Sequence, residues 1–110
     1  HRMINTAGEL VAPPTVERAL RSLDVVSDAL VVGLPDERWG QIVAALIVPS
    51  PAGRAQASSM NAAALSEALS ESLAPWEKVR RIAVVDELPT TATGKPDPLG
   101  AAELFSASER

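Results

Sequence analysis

The sequence contains no cysteine and no tyrosine, one histidine, one phenylalanine and two tryptophans. The missing thiols exclude disulfides and thiolate metal sites, and they leave the redox compartment unreadable. A lone histidine at position 1 cannot build a histidine-based metal cluster. No apolar run approaches the ~20 residues of a membrane-spanning helix. No signal peptide is visible, so the expectation is a cytoplasmic protein. Positive charge is scarce as well. Ten Lys and Arg face fourteen Asp and Glu, and the net charge of −4 argues against general affinity for nucleic acid. The lysines number two, Lys78 and Lys95. What is present is apolar: 46% of 110 residues are hydrophobic, the share of a packed core rather than a disordered chain. That length makes one domain, able to bury roughly 60–68% of its unfolded surface.

The pattern along the chain alternates strand and helix signals. "RMI" and "ELVAP" flank "NTAG", whose Asn and Gly tolerate positive φ, so the start reads as a hairpin with a tight turn at Ala7 and Gly8. Pro13 and Pro14 suit a helix start, where a missing N–H costs nothing. Val16, Ala19, Leu20 and Leu23 then recur at helical spacing, which predicts a helix over residues 14–23. "SDALVVGLP" and "QIVAALIVP" read as strands, centred on residues 29–32 and 42–48, with "DERWG" between them. The near-continuous apolar run of the second marks it as central. Residues 50–59 are rich in Pro, Gly and Ser and read as a loop. Leu65, Ala68, Leu69 and Leu73 mark a helix over residues 62–73, capped by Asn61 or Ser59. A third strand is expected over residues 80–85, and the tail "DPLGAAELFSAS" reads as a short helix. The expected fold is α+β: a small three-stranded sheet with two main helices packed on it, an N-terminal hairpin, and a polar C-terminal loop.

That loop, "TTATGK", presents Lys95 among residues that break regular structure. It is not the phosphate-binding pattern G-x-x-x-x-G-K-[S/T]: Pro89 stands where the first glycine belongs and Pro96 where the hydroxyl residue belongs. Taken alone, Lys95 is a solvated lysine in an exposed, mobile turn. Pro89, Gly94, Pro96 and Pro98 are expected to exclude regular structure around it.

Three separated blocks change that view. The first reads Met3, Ile4, Ala7, Gly8, Glu9, Val11, Pro13, Val16, Glu17. The second is "VVSDALVVGLPDERWGQIVAALIV". The third ends in Leu88, Pro89, Thr91, Gly94, Lys95. In order and spacing they resemble the C-terminal domain of the acyl-adenylating enzymes, most closely the acyl-CoA synthetases. The likeness runs from Arg2 to about Pro98. It implies a mobile lid, residues 1–110, on a large N-terminal domain that lies outside this sequence and binds a carboxylic acid and ATP. Mg²⁺ is expected to bind outside this domain. In one orientation Lys95 would enter the active site for adenylate formation. In the other the lid turns and its opposite face lines a tunnel for the pantetheine thiol of CoA. The turn Ala7–Gly8–Glu9 would border that tunnel. Trp39 and Trp76 would flank the CoA nucleotide, with Lys78 and Arg80 at its phosphates. The isolated lid is expected to be inactive.

The chain departs from the family pattern in places. Thr90 replaces an Arg that often follows Leu-Pro, and Pro96, Asp97 and Pro98 replace the usual I-x-R continuation. His1 falls on the hinge position, usually Asp or Lys, and reads as a remnant of a cut at the domain boundary. Each candidate also has a plain structural role. The tryptophans can cap the edge of the core, Ala7 and Gly8 can simply make a turn, and Glu9 and Glu17 can be solvated surface acids. Lys78 and Arg80 fall on one side of an alternating strand, and Arg81 should face the other way. Two rival functions remain. A lid serving a carrier protein would make the nucleotide patch dispensable, and a non-catalytic docking module would explain the altered "KPDP". The acyl substrate cannot be read from this domain.

Overall fold

The computed structural model describes residues 3–108. The hinge position, His1, lies outside that span, as does Arg2. The elements are β1 (Ile4–Thr6), β2 (Glu9–Val11), α1 (Pro13–Arg21), β3 (Val26–Asp36), β4 (Gly40–Pro49), α2 (Pro51–Ala55), α3 (Ala62–Ala68), β5 (Arg81–Val84) and α4 (Pro98–Ser108). Single 3₁₀ turns occupy Ala57–Ser59 and Pro75–Glu77. The class is α+β, as the sequence indicates, but the sheet has five strands in place of three. Its order is β2-β1-β4-β3, with β5 also paired to β4. The hairpin β1–β2 is therefore part of the sheet, joined through the pair Thr6 and Gly40. The β3–β4 ladder is antiparallel from Val26 to Asp36, and β5 runs parallel to β4 after the α3 crossover.

Both faces of the sheet are covered, and β4 shows why its sequence is apolar from Ile42 to Pro49. Val43, Ala45 and Ile47 join Val16, Leu20, Leu65, Leu69 and Val79 in a core under α1 and α3. Ala44 and Leu46 point the other way, into a second core with Leu30, Val32, Leu34, Ala101 and Phe105 under α4. A strand whose alternate residues enter two cores cannot carry a polar face. The tail helix thus closes the second face, and the sheet is not the one-sided layer that two helices alone would make.

Local chemistry corrects two further expectations. Residues 50–59 are folded: Ser50 Oγ accepts from the Gly53 N–H at 3.1 Å, which caps α2 with Pro51 in its first turn. Gly53 is required there by space, because a Cβ at that position would lie 2.0 Å from the Val25 carbonyl oxygen. The helix α3 is capped by Asn61, whose Oδ1 accepts from the Ala64 N–H at 2.9 Å, and it ends at Ala68 rather than position 73. One further turn is held by the Leu73 N–H on the Leu69 carbonyl at 3.0 Å.

Glu17 is no solvated surface acid. It is 6% exposed, and its Oε2 accepts from the Val31 N–H at 2.9 Å. Val31 lies on β3, whose outer edge has no strand neighbour. The carboxylate thus satisfies a donor that the ladder leaves unpaired. Arg21 lies 3.9 Å from Glu17 and 3.1 Å from Asp28. Glu17→Ala should therefore cost about 1–3 kcal/mol, the cost of stranding a buried donor. Glu9→Ala, at an exposed position, should change stability by less than about 0.5 kcal/mol. Urea unfolding of both variants checks the contrast. Gly53→Ala should be at least as damaging as Glu17→Ala, since backbone must move to admit the methyl group.

Candidate functional site

The first component is the β1–β2 turn. Ala7 (φ 53) and Gly8 (φ 88) both lie in the left-handed region, the backbone of a two-residue hairpin loop. Gly8 adopts it freely, whereas Ala7 is strained by roughly 1 kcal/mol. Asn5 Oδ1 accepts from the Gly8 N–H at 3.0 Å, and the Ala7 N–H donates to the Trp39 carbonyl at 2.7 Å. The turn is thereby docked on the β3–β4 connection. Glu9 follows it, exposed, at the start of β2.

The β3–β4 connection is itself tightly held. Asp36 Oδ2 accepts from the backbone N–H of Arg38 (3.0 Å) and of Trp39 (2.8 Å). Gly40 then turns the chain with φ 82. This presents the half-buried Trp39 ring, over which the Arg80 guanidinium stands at 4.7 Å and that of Arg38 at 5.6 Å. Such cation–π contacts are each worth about 0.5–1 kcal/mol at exposed sites.

Lys78 and Arg80 precede β5 rather than lie within it, since the strand begins at Arg81. The alternation nevertheless holds. Val79 is buried, Arg80 is exposed, and Arg81 stands 5.2 Å over the Phe105 ring in the opposite core. The Arg80 N–H donates to the Val43 carbonyl at 2.8 Å, which fixes the segment beside β4. Lys78 and Arg80 line one open groove along α3, together with Ser66, Glu67, Leu69 and Leu73. Ser66 ties the groove wall to the same segment, donating from Oγ to the Val79 carbonyl at 2.8 Å. Trp76 is placed apart from that groove lining. It is 45% exposed, on a 3₁₀ turn packed beside β2, where Leu10 is 59% exposed. Lys78 and Arg80 thus share the groove, Trp39 joins them through Arg80, and neither tryptophan lines the groove itself.

Lys95 is exposed, and among the described residues its ammonium has no ion-pair partner. Its backbone is far more ordered than the expected irregular loop. Thr90 and Pro96 form a β-bridge, and the Thr91 N–H donates to the Lys95 carbonyl at 2.8 Å. The Gly94 N–H donates to the Thr91 carbonyl at 2.9 Å, with φ 86 at Gly94. The Asp97 N–H closes the base on the Pro89 carbonyl at 3.0 Å. A small hairpin therefore presents the lysine.

Two neighbours of the candidate site escape a reading from sequence. Arg38 and Asp36 sat in a segment read only as a connection, although Asp two and three residues ahead of Arg38-Trp39 is a turn signal. Asp97-Pro98, part of the unusual "KPDP", is a helix start: Asp precedes Pro at the first position of α4, and the Ala101 N–H donates to the Asp97 carbonyl at 3.0 Å. Among the described residues, no three His, Cys, Asp or Glu side chains gather as metal ligands, and no helix is long and apolar enough to cross a membrane.

Comparison with known proteins gives this arrangement a family. Residues 15–95 match the family model described as the AMP-binding enzyme C-terminal domain. A medium/long-chain-fatty-acid–CoA/3-oxocholest-4-en-26-oate–CoA ligase of Mycobacterium marinum is 39% identical over 104 residues, 94% of this chain and 18% of the relative. A 4-chlorobenzoate–CoA ligase of a Pseudomonas species is 39% identical over 93 residues, 84% of this chain and 17% of the relative. Among solved structures, a Mycobacterium tuberculosis fatty acyl CoA synthetase superposes with TM-score 0.81 at 29% identity, over 96% of this chain and 20% of that one. A Brucella canis acyl-CoA synthetase gives TM-score 0.82 at 28% identity, over 99% and 20%. The chain thus spans about a fifth of the length of these relatives. It belongs to the AMP-binding enzyme C-terminal domain family.

Proposed function

We propose that this domain is the mobile lid of an ATP-dependent acyl-CoA ligase and serves two half-reactions with opposite faces. The separation of its two functional groups across the sheet carries the proposal. The Lys95 hairpin is anchored on the α4 side, where Leu88 packs into the second core. The groove of Lys78 and Arg80 opens on the α3 side, against Leu69. One rigid body can therefore bring either group, but not both, to a single active site. The ATP and acid pockets would lie in a larger N-terminal domain outside this sequence, and Mg²⁺ would bind there with ATP. Both co-substrates are available in the cytoplasm, which supports a cytoplasmic reaction.

In the first half-reaction the Lys95 ammonium would meet the carboxylate and the phosphate that joins it. An ammonium with three donors on a flexible stem can follow negative charge as it moves between oxygens. In the second, the Ala7–Gly8–Glu9 turn would border the pantetheine arm. The residues present fit a CoA nucleotide: Trp39 offers an aromatic surface, and Arg80 and Lys78 offer donors to phosphate at a solvent-open groove. The exposed Trp76 would lie outside that groove and meet the nucleotide only at its margin. The same cations favour free CoA over a carrier protein, for which a nucleotide patch has no use. A non-catalytic module loses its support, because "KPDP" has a structural explanation as the start of α4.

In the full-length enzyme, Lys95→Ala should slow adenylate formation by about 10²–10³-fold, the effect of removing one preorganised donor. Thioester formation from a synthetic acyl-adenylate should stay within about twofold of wild type. Rapid-quench assay of the two steps decides the matter, and equal losses in both would sink the rotation model. Separately, Trp39→Ala or Arg80→Ala should raise KM for CoA roughly 5- to 150-fold, as loss of about 1–3 kcal/mol of stacking implies, with KM for ATP unchanged.

A further inference from the structure

The hairpin β1–β2 pairs with β4 as a ladder at one position, Thr6 with Gly40. The next donor along, the Asn5 N–H, has no backbone carbonyl in that ladder. It donates to the side-chain Oε1 of Gln41 at 2.9 Å. A side-chain amide therefore stands in for a missing ladder bond. Asn5 passes the restraint on, since its own Oδ1 accepts from the Gly8 N–H at the tip of the turn. The Gln41 side chain can reach Asn5 because it lies across a glycine. A Cβ on Gly33 would sit 2.8 Å from Gln41 Nε2 and 3.2 Å from its Cδ. Gly33 has no positive φ. Its role is to leave space rather than to turn the chain.

We infer that Gln41, seated in the space left by Gly33, is a positioning residue for thioester formation: it holds the Ala7–Gly8 turn in register with Trp39. The inference rests on the proposed use of that turn by the pantetheine arm. Ala7 is strained and stays so only while its surroundings fix it. Its N–H bond to the Trp39 carbonyl ties turn to aromatic ring, and the Gln41–Asn5–Gly8 relay ties turn to sheet. Release of the relay frees the turn to shift against Trp39, and a shift of that order disturbs a thiol that must approach its target within a fraction of an ångström. The Lys95 hairpin stands on the α4 side and is untouched by the relay.

The test uses the full-length enzyme, a synthetic acyl-adenylate and CoA, with adenylate formation assayed in parallel. Gln41→Leu, which keeps the bulk and removes the acceptor, should slow thioester formation about 10- to 100-fold and leave adenylation within about twofold. Gln41→Glu retains an acceptor for the Asn5 N–H and should restore most of the thioester rate. Gly33→Ala keeps Gln41 itself but crowds its amide out of place, and presses on Ile4 Cγ2 at 3.1 Å as well; it should reproduce the Gln41→Leu pattern of slower thioester formation with adenylation unchanged, and it decides the matter if Gln41→Leu does not fold. A Gln41→Leu enzyme as fast as wild type, equal losses in both half-reactions, or a Gln41→Glu enzyme no better than Gln41→Leu overturns the inference. Wild-type enzyme that adenylates its acid but transfers nothing to CoA overturns the functional proposal itself, and the inference with it.

Discussion

The domain depends on one strand being buried on both faces and used on both edges. β4 pairs along its whole length with β3 on one side, and with β1 and then β5 on the other. Its side chains fill two cores alternately. Little that is polar can lie in the buried middle of such a strand, from Val43 to Ile47, since it would be buried without partners. Chemistry is displaced to its ends. The start of β4 is where the topology gathers the most: Trp39 immediately precedes Gly40, the hairpin arrives at Gly40, and Arg80 is bonded to Val43 beside it. The parallel alignment of β5 matters here. It brings the residues before β5, Lys78 and Arg80, to the same end as Trp39, whereas an antiparallel β5 would have carried them to the far end.

The same strand order leaves β3 as an edge, and the edge is managed by charge. A carboxylate accepting a backbone N–H bond is stronger than a neutral acceptor would be, at the cost of desolvating the acid. Glu17 meets that cost through the Val31 N–H and the nearby Arg21 guanidinium. The arrangement satisfies one buried edge donor and also fixes α1 over β3. An acid of this kind is indistinguishable in sequence from a solvated one, because helical spacing places Glu17 at the margin of the apolar face, next to Val16.

What the sequence revealed and concealed divides along that line. Strands and helices with strong periodicity, such as Val16 to Leu23 and Leu65 to Leu69, were legible, as was the turn at Gly8 and the side to which Arg81 points. The family blocks located Lys95 and Trp39. Contacts between distant segments were not legible. Gln41 against Asn5, Arg80 over Trp39 and Glu17 on Val31 join residues 14 to 41 positions apart, and no local pattern encodes them. Short capped helices failed for another reason: Pro, Gly and Ser that suggest a loop in 50–59 serve as N-cap, first-turn proline and close-approach glycine of α2. Asp97-Pro98 carried the same signal, and the tail it opens was read as the helix that the structure shows.

The order of the Lys95 hairpin bears on how, in the proposed cycle, a single lysine would serve an active site that it would also leave. A disordered loop would lose about 1–2 kcal/mol of backbone entropy per residue each time it docked. Here the Thr90–Pro96 bridge, the Thr91 and Asp97 N–H bonds and two prolines around Asp97 already hold the backbone. Only the Lys95 side chain remains to be ordered, at a cost of roughly 2 kcal/mol. The fixed backbone also sets where the ammonium can reach, so in the proposed cycle the lysine would be delivered by rotation of the whole domain rather than by a search of the loop. A rigid hairpin on one face and a braced turn on the other then make the two orientations differ only by a rigid-body move. That is the condition under which occupancy of one orientation excludes the other.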